Sequence, residues 1–173
     1  MMHTGVGIKL FYLINKNFAN RLFDFLMPII TELGTIKIIL AVAILILLVM
    51  SPKKRRSAIV LIIGLIASSI VVYLLKHWIA RSRPFMVLPD VRLLESDKMG
   101  FAFPSGHAVN AFLAATVFSA FFRRNALFFT IATLVAFSRI YLGVHFVSDV
   151  IWGAIIGMGV GYCTLALWDR FNR

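Results

Sequence analysis

The chain has 173 residues, 61% of them hydrophobic and 14% charged, with a mean hydropathy of +0.92. That excludes a soluble domain of this size and indicates a single integral membrane domain. The net charge of +11 would suggest nucleic acid in a soluble protein, but most of these cations flank apolar runs. Topology and anionic lipid explain them better, and no nucleic-acid partner is expected. A lone cysteine, Cys163, rules out an intrachain disulfide framework and reads as a buried, inert thiol.

Residues 4–18 set Leu10, Phe11, Ile14 and Phe18 at helical spacing among Lys9, Asn15, Lys16 and Asn17, which predicts an amphipathic helix lying in the membrane interface. A first span is expected over residues 20–34, kinked at Pro28, with Asp24 and Glu32 near its ends. Residues 36–50 form a second span, its early Lys37 able to snorkel. Ser51–Pro52 then breaks the chain before the basic run Lys53–Lys54–Arg55–Arg56. Residues 57–75 hold no charge and make a third span. The long polar segment 76–106 follows, and then spans over 107–122, 125–142 and 145–168. In the last of these, Gly153, Gly157 and Gly161 form a small-residue face on which another helix can pack closely. The predicted fold is therefore all-α: a polytopic bundle of six transmembrane helices with an N-terminal interfacial helix. Nothing at the N-terminus has the form of a secretory signal, so insertion is expected to rely on the internal spans.

In a six-span layout, Lys9, Lys16, Arg21, the run 53–56, Arg123, Arg124, Arg170 and Arg173 fall on one side. The positive-inside rule makes that side cytoplasmic and puts both termini there. Segment 76–106, the start of the fourth span and the link between the fifth and sixth then face outward.

The outward end gathers chemistry. Ser105 is expected to cap a helix starting at Gly106–His107, whose free amides and permissive glycine make an anion site. Lys76 and Arg83 flank the end of the third span, and Arg139 lies near the outer end of the fifth. His145 and Asp149 stand four residues apart, so on a helix the carboxylate would accept the ring N–H and leave the other nitrogen basic. Each charge turned toward lipid would cost about 2.5–3.5 kcal/mol, so these groups should share a polar pocket. Two arginines, a lysine and helix amides suit phosphate oxygens and a phosphoryl-transfer transition state. His145 is equipped as nucleophile and His107 as acid for the leaving oxygen. A metal site competes, since His107, His145 and Asp149 are all ligand types. The neighbouring cations and the lack of an HExxH or cysteine cluster weigh against it, so no metal or cofactor is expected.

Lys76-x6-Arg83-Pro84, Pro104-Ser105-Gly106-His107 and Ser138-Arg139-x5-His145-xxx-Asp149 resemble the three signature motifs of the type 2 phosphatidic acid phosphatase family, which also includes vanadium haloperoxidases. The resemblance implies metal-independent hydrolysis of a phosphate ester through a phosphohistidine. It makes His145 the nucleophile, Asp149 its orienting partner and His107 the general acid, with Lys76, Arg83, Ser105, Gly106 and Arg139 holding the phosphoryl group. Small members resemble bacterial inner-membrane enzymes acting on phosphatidylglycerophosphate, undecaprenyl diphosphate or the 1-phosphate of lipid A. Arg81, Arg92 and Lys98 add positive charge, partly offset by Asp90, Glu95 and Asp97. They are candidate headgroup contacts and lean toward a lipid with two phosphates. The expected partners are a lipid phosphate and the bilayer, with no obligate protein partner. Two other readings use the same pocket: a non-enzymatic lipid-phosphate transporter or binding protein, and a phosphoryl transferase to a lipid acceptor. Phe85, Met86, Leu88, Leu93 and Leu94 either line an acyl-chain entrance or pack at the interface. His77 and His3 are given no catalytic role.

Overall fold

A computed structural model describes residues 5–95 and 100–171. Its helices are α1 (Gly5–Tyr12, continued by a π-helical turn Leu13–Asn17), α2 (Arg21–Glu32), α3 (Ile36–Val49), α4 (Pro52–Ile79), the short α5 (Pro84–Val87), α6 (Gly106–Phe122), α7 (Asn125–Tyr141) and α8 (Val147–Phe171). No strand occurs among the described residues. The all-α expectation holds.

Local chemistry sets the boundaries. Asn20 caps α2 by accepting the Phe23 N–H at 2.9 Å, and Thr35 caps α3. Pro52 opens α4 at a position where its missing N–H costs nothing. The basic run 53–56, expected before the span, is instead the first turn of α4. From there Arg55 reaches back to the carbonyl of Met50 at 2.8 Å and so closes the end of α3. Arg123 ends α6 in the left-handed conformation at φ 56°.

The centre is the pair α6 and α8, which run parallel. Gly153, Gly157 and Gly161 lie on the facing side of α8. A Cβ at Gly157 would stand 2.3 Å from the Val109 carbonyl, and one at Gly161 would meet Thr116 at 2.9 Å. The small-residue face predicted for the last span therefore packs on α6 backbone to backbone. Around the pair, Ile39, Ala43, Ala58, Leu61, Leu65, Leu113 and Val117 form the main apolar cluster, joining α3 and α4 to α6.

These contacts order the helix ends. The α3–α4 and α6–α7 connections lie together at one end, where Lys54 stands 5.5 Å from the Phe122 ring. The end of α4, the start of α6, the end of α7 and the start of α8 meet at the other. Helices α2 and α3 are bent by 57° at Leu33–Thr35, not at Pro28, and together have the length and hydropathy of a broken span or a re-entrant loop. α4 and α8 are long and apolar enough to cross a membrane, while α6 and α7 are shorter apolar helices of 17 residues. By length and composition two of the described helices, or three counting the bent pair as one span, could cross a membrane, against the six spans expected.

α1 packs at the end that holds His145: Phe11 is fully buried and its ring lies 5.9 Å from that of Phe146. The Tyr12 hydroxyl donates to the Pro89 carbonyl at 2.6 Å, and the Asn15 amide donates to the carbonyls of Arg92 and Tyr141 at 2.8 Å each. The two ends of the described chain therefore lie at opposite ends of the bundle, against the expectation that they share one. The amphipathic pattern of 4–18 showed that a face would be buried but carried no information about which end would bury it. Cys163 also departs from expectation. It is exposed on the outer face of α8, not buried.

Candidate active site

His145 stands in the turn between α7 and α8, 2% exposed. Gly143 makes that turn possible. Its φ is +82°, and a Cβ there would lie 2.7 Å from the Arg92 carbonyl, so both conformation and space demand glycine. Burial is the largest influence on the imidazole, and the charges of Arg139, Arg83 and Lys76 act with it, holding its pKa well below the ordinary 6.5. The ring is thus neutral at physiological pH, the form in which a nitrogen lone pair is available. Lys76, Arg83 and Arg139 thus all act on one buried histidine.

Each cation is fixed by the backbone or by a partner. Lys76, on the last turn of α4, donates to the Phe101 carbonyl. Arg83 donates through Nε to the Gly100 carbonyl at 3.0 Å and through Nη1 to the Val144 carbonyl at 3.2 Å. Arg139, 1% exposed on the last turn of α7, donates to the Thr31 hydroxyl at 2.6 Å and pairs with the Glu95 carboxylate at 2.7 Å. Its Nε is buried without a partner among the described residues.

Ser105 precedes α6 as expected, but its hydroxyl makes no capping bond; it is buried and unbonded. The Ser105 N–H donates instead to the Asp149 carbonyl at 3.0 Å, which pins the start of α6 to α8. At Gly106 a Cβ would meet nothing within 4 Å, so the space before the first turn of α6 is open. His107 follows on α6 with the α2–α3 bend against it, since a Cβ at Gly34 would come within 3.1 Å of the His107 β-carbon.

Four expectations need correcting. His145 precedes α8 rather than riding on it, and its Nδ1 is 3.7 Å from Asp149 Oδ2, beyond hydrogen-bond length. Asp149 Oδ2 accepts the Phe146 N–H at 2.9 Å, and its other oxygen takes Arg81 at 2.6 Å. Arg81 is therefore engaged inside the site and is not a free headgroup contact. Arg92 pairs with Asp24 of α2 and donates to the Tyr141 hydroxyl at 3.3 Å, so it too is already committed. Lys98 lies outside the described residues. With Arg81 and Arg92 paired, the argument for a headgroup with two phosphates loses its footing.

Glu95 and Thr31 are the site residues that sequence reasoning missed. Thr31 meets Arg139 across 108 residues of chain, and no local pattern announces such a pair. Glu95 had a signal, one of three acids in a basic segment, but it read only as charge balance. Among the apolar residues of the connecting segment, Phe85 and Leu94 pack beside Met27 and Tyr141, and Leu88 packs beside Phe11. Met86 and Leu93 are exposed.

Residues 57–173 match the family model of the PAP2 superfamily, and the chain belongs to that superfamily. The crystal structure of Aquifex aeolicus LpxE superposes with a TM-score of 0.86 at 31% identity, covering 95% of this chain and 97% of that one. An undecaprenyl-diphosphatase of Sulfolobus acidocaldarius is 28% identical over 95% of this chain and 80% of its own length. Phosphatidylglycerophosphatase B of Bacillus subtilis is 34% identical over 57% of this chain, a match spanning 52% of that relative's length.

Proposed function

We propose that this member of the PAP2 superfamily of membrane lipid phosphatases removes the terminal phosphate of a lipid phosphate or diphosphate through a phosphohistidine on His145. One observation carries the reading: the buried imidazole of His145 stands close enough to Lys76, Arg83 and Arg139 for all three charges to act on it. A lone positive cluster would bind phosphate. A cluster built around an unprotonated imidazole can also attack it.

In the proposed reaction His145 Nε2 forms a bond to phosphorus while the bond from phosphorus to the lipid oxygen breaks. His107 gives its proton to that oxygen. Water then attacks the phosphohistidine, the N–P bond breaks, and His107 takes the water's proton back. Arg139, Arg83 and Lys76 stabilise the equatorial oxygens, and the free Ser105 hydroxyl and the amides of Gly106 and His107 complete the cradle. Substrate oxygens take the place of the Glu95 carboxylate on Arg139. Asp149 receives the Nδ1 proton's hydrogen bond once the ring closes the 3.7 Å gap, stabilising the positive charge that develops. No metal takes part.

The lipid nature of the substrate is supported by an apolar groove of about 190 Å³ between α3, α6 and α7, lined by Leu33, Ile38, Val42, Ala111, Ala115 and Phe128 among others. It begins one residue from Gly34, which abuts His107, so an acyl or prenyl chain in it would bring its phosphate to the site. We place in the cytoplasm the end with Lys53–Lys54–Arg55–Arg56, Arg123, Arg124 and Arg170, whose cations flank apolar helices, whereas Lys76, Arg81, Arg83, Arg92 and Arg139 serve the site or its ion pairs; Lys9, Lys16 and Arg21, expected on the cytoplasmic side, lie with the site. The site and α1 then face outward, and the C-terminus faces the cytoplasm.

The test is phosphate release from undecaprenyl diphosphate, lipid A and phosphatidylglycerophosphate, with wild type beside His145→Ala and with and without a chelator. Release by wild type alone, insensitive to chelator, is expected. Equal release by the variant removes the mechanism. Binding without release leaves the transporter reading, and phosphate recovered on a second lipid would make the protein a transferase.

A further inference from the structure

Arg81 follows α4 just past Ala80, whose φ of 45° turns the chain sharply toward α8. Its carbonyl accepts the Ala102 N–H at 2.8 Å, fixing the backbone from the opposite side. Its guanidinium reaches three of the residues that follow His145. Nη1 donates to Asp149 Oδ1 at 2.6 Å and to the Ser148 hydroxyl at 2.7 Å, and the guanidinium carbon stands 4.1 Å from the centre of the Phe146 ring. Phe146 in turn gives its N–H to the other Asp149 oxygen. The carboxylate is fully buried. Its two oxygens are thus sorted: Oδ1 is held by arginine, while Oδ2 is left with one backbone N–H and the imidazole beside it.

We propose that Arg81 is a positioning residue for phosphoryl transfer, holding the Asp149 carboxylate ionised and turned so that Oδ2 can accept the Nδ1–H of His145. This rests on the reaction proposed above. A buried carboxylate stripped of its cation is costly, and it relieves that cost by taking a proton or swinging to another donor. Either change removes the acceptor that His145 needs as it becomes positive. Arginine suits the post because its planar fork spans the carboxylate and the Ser148 hydroxyl while its face lies on an aromatic ring. Lysine would keep the charge and lose the fork.

Arg81→Met, Arg81→Lys, Asp149→Asn and the double variant Arg81→Met/Asp149→Asn separate this role from headgroup binding. With whichever of the three lipids wild type hydrolyses, Arg81→Met should lower kcat about 10- to 100-fold with KM little changed. Activity should recover partly as pH rises and Asp149 ionises unaided. Arg81→Lys should fall between wild type and Arg81→Met, and it serves as the working variant if Arg81→Met does not fold. The double variant should be no worse than Asp149→Asn alone, because both changes disable one device. A raised KM with kcat intact, or multiplicative losses in the double variant, overturns the proposal. Nitrogen NMR of labelled His145 gives a readout that does not depend on turnover. Wild type should hold one tautomer, protonated on Nδ1, and Arg81→Met should mix tautomers as Asp149→Asn does. An unchanged His145 signal in Arg81→Met refutes the positioning role even if no lipid is hydrolysed, whereas silence from wild type on every lipid refutes only the reaction.

Discussion

The α6–α8 pair and the polar segment that covers its end are held by opposite means. Between α6 and α8 the glycine face brings backbones into contact, as at Gly157 against the Val109 carbonyl. That close packing has no second arrangement of similar energy. Over the site, the segment from Arg81 to Ser105 is tied by side chains: Tyr12 to Pro89, Asn15 to Arg92, Arg92 to Asp24 and Glu95 to Arg139. Polar ties of this kind exchange one partner for another at little net cost. The rigid pair carries Ser105, Gly106, His107 and Asp149, whose relative positions must not drift during the chemistry. In the proposed reaction, the exchangeable ties lie where the charged headgroup enters and leaves. The molecule places its strongest packing under the reacting atoms and its most replaceable contacts above them.

The sharpest way to break that contrast is to remove the chemistry and leave both regions standing. His145→Ala should fold and lose phosphate release by about 1,000-fold or more, measured by phosphate release from the lipid panel. Arg139→Gln should cost about 100- to 1,000-fold in kcat/KM, the loss typical of one donor to a developing charge. It should also raise the His145 pKa toward 6.5, because one of the charges pressing it down is gone; an NMR titration of His145 reads this directly. In wild type the acid limb of kcat/KM should lie below pH 6.5. Stability follows the same group. Between the folded pKa and 6.5 the unfolded chain binds a proton that the folded chain refuses, so stability falls as pH drops through 6.5.

The packed pair is tested by bulk. Gly157→Leu should lower stability by about 3 kcal/mol, seen as a reduced melting temperature in detergent. Gly159→Leu, where a Cβ meets nothing within 4 Å, should change little. A similar loss at both positions would mean that the close approach does not organise the bundle. The smallest effect belongs to the exchangeable side. Glu95→Gln should tighten inhibition by inorganic phosphate by about 5-fold or more, since the anion then no longer competes with a carboxylate paired to the buried Arg139. Weaker inhibition would show that Glu95 helps to hold the phosphate rather than standing in its place.

Much of this site could be read in the sequence because its parts are written in short, rigid units. Pro104-Ser105-Gly106-His107 specifies a turn into a helix. Arg139 and His145 lie at the two sides of one connection, and the glycines of α8 mark its contact face at helical spacing. Those features follow from backbone geometry and the cost of charge in a bilayer, and both act on neighbours in the chain. The tertiary structure alone decided which end of the bundle takes α1, that the chain bends between α2 and α3, and that Arg81 holds Asp149 while Glu95 and Thr31 hold Arg139. Such pairings join residues far apart in the chain, and many polar partners of similar strength compete for each. Only the packing that buries them together selects among those partners.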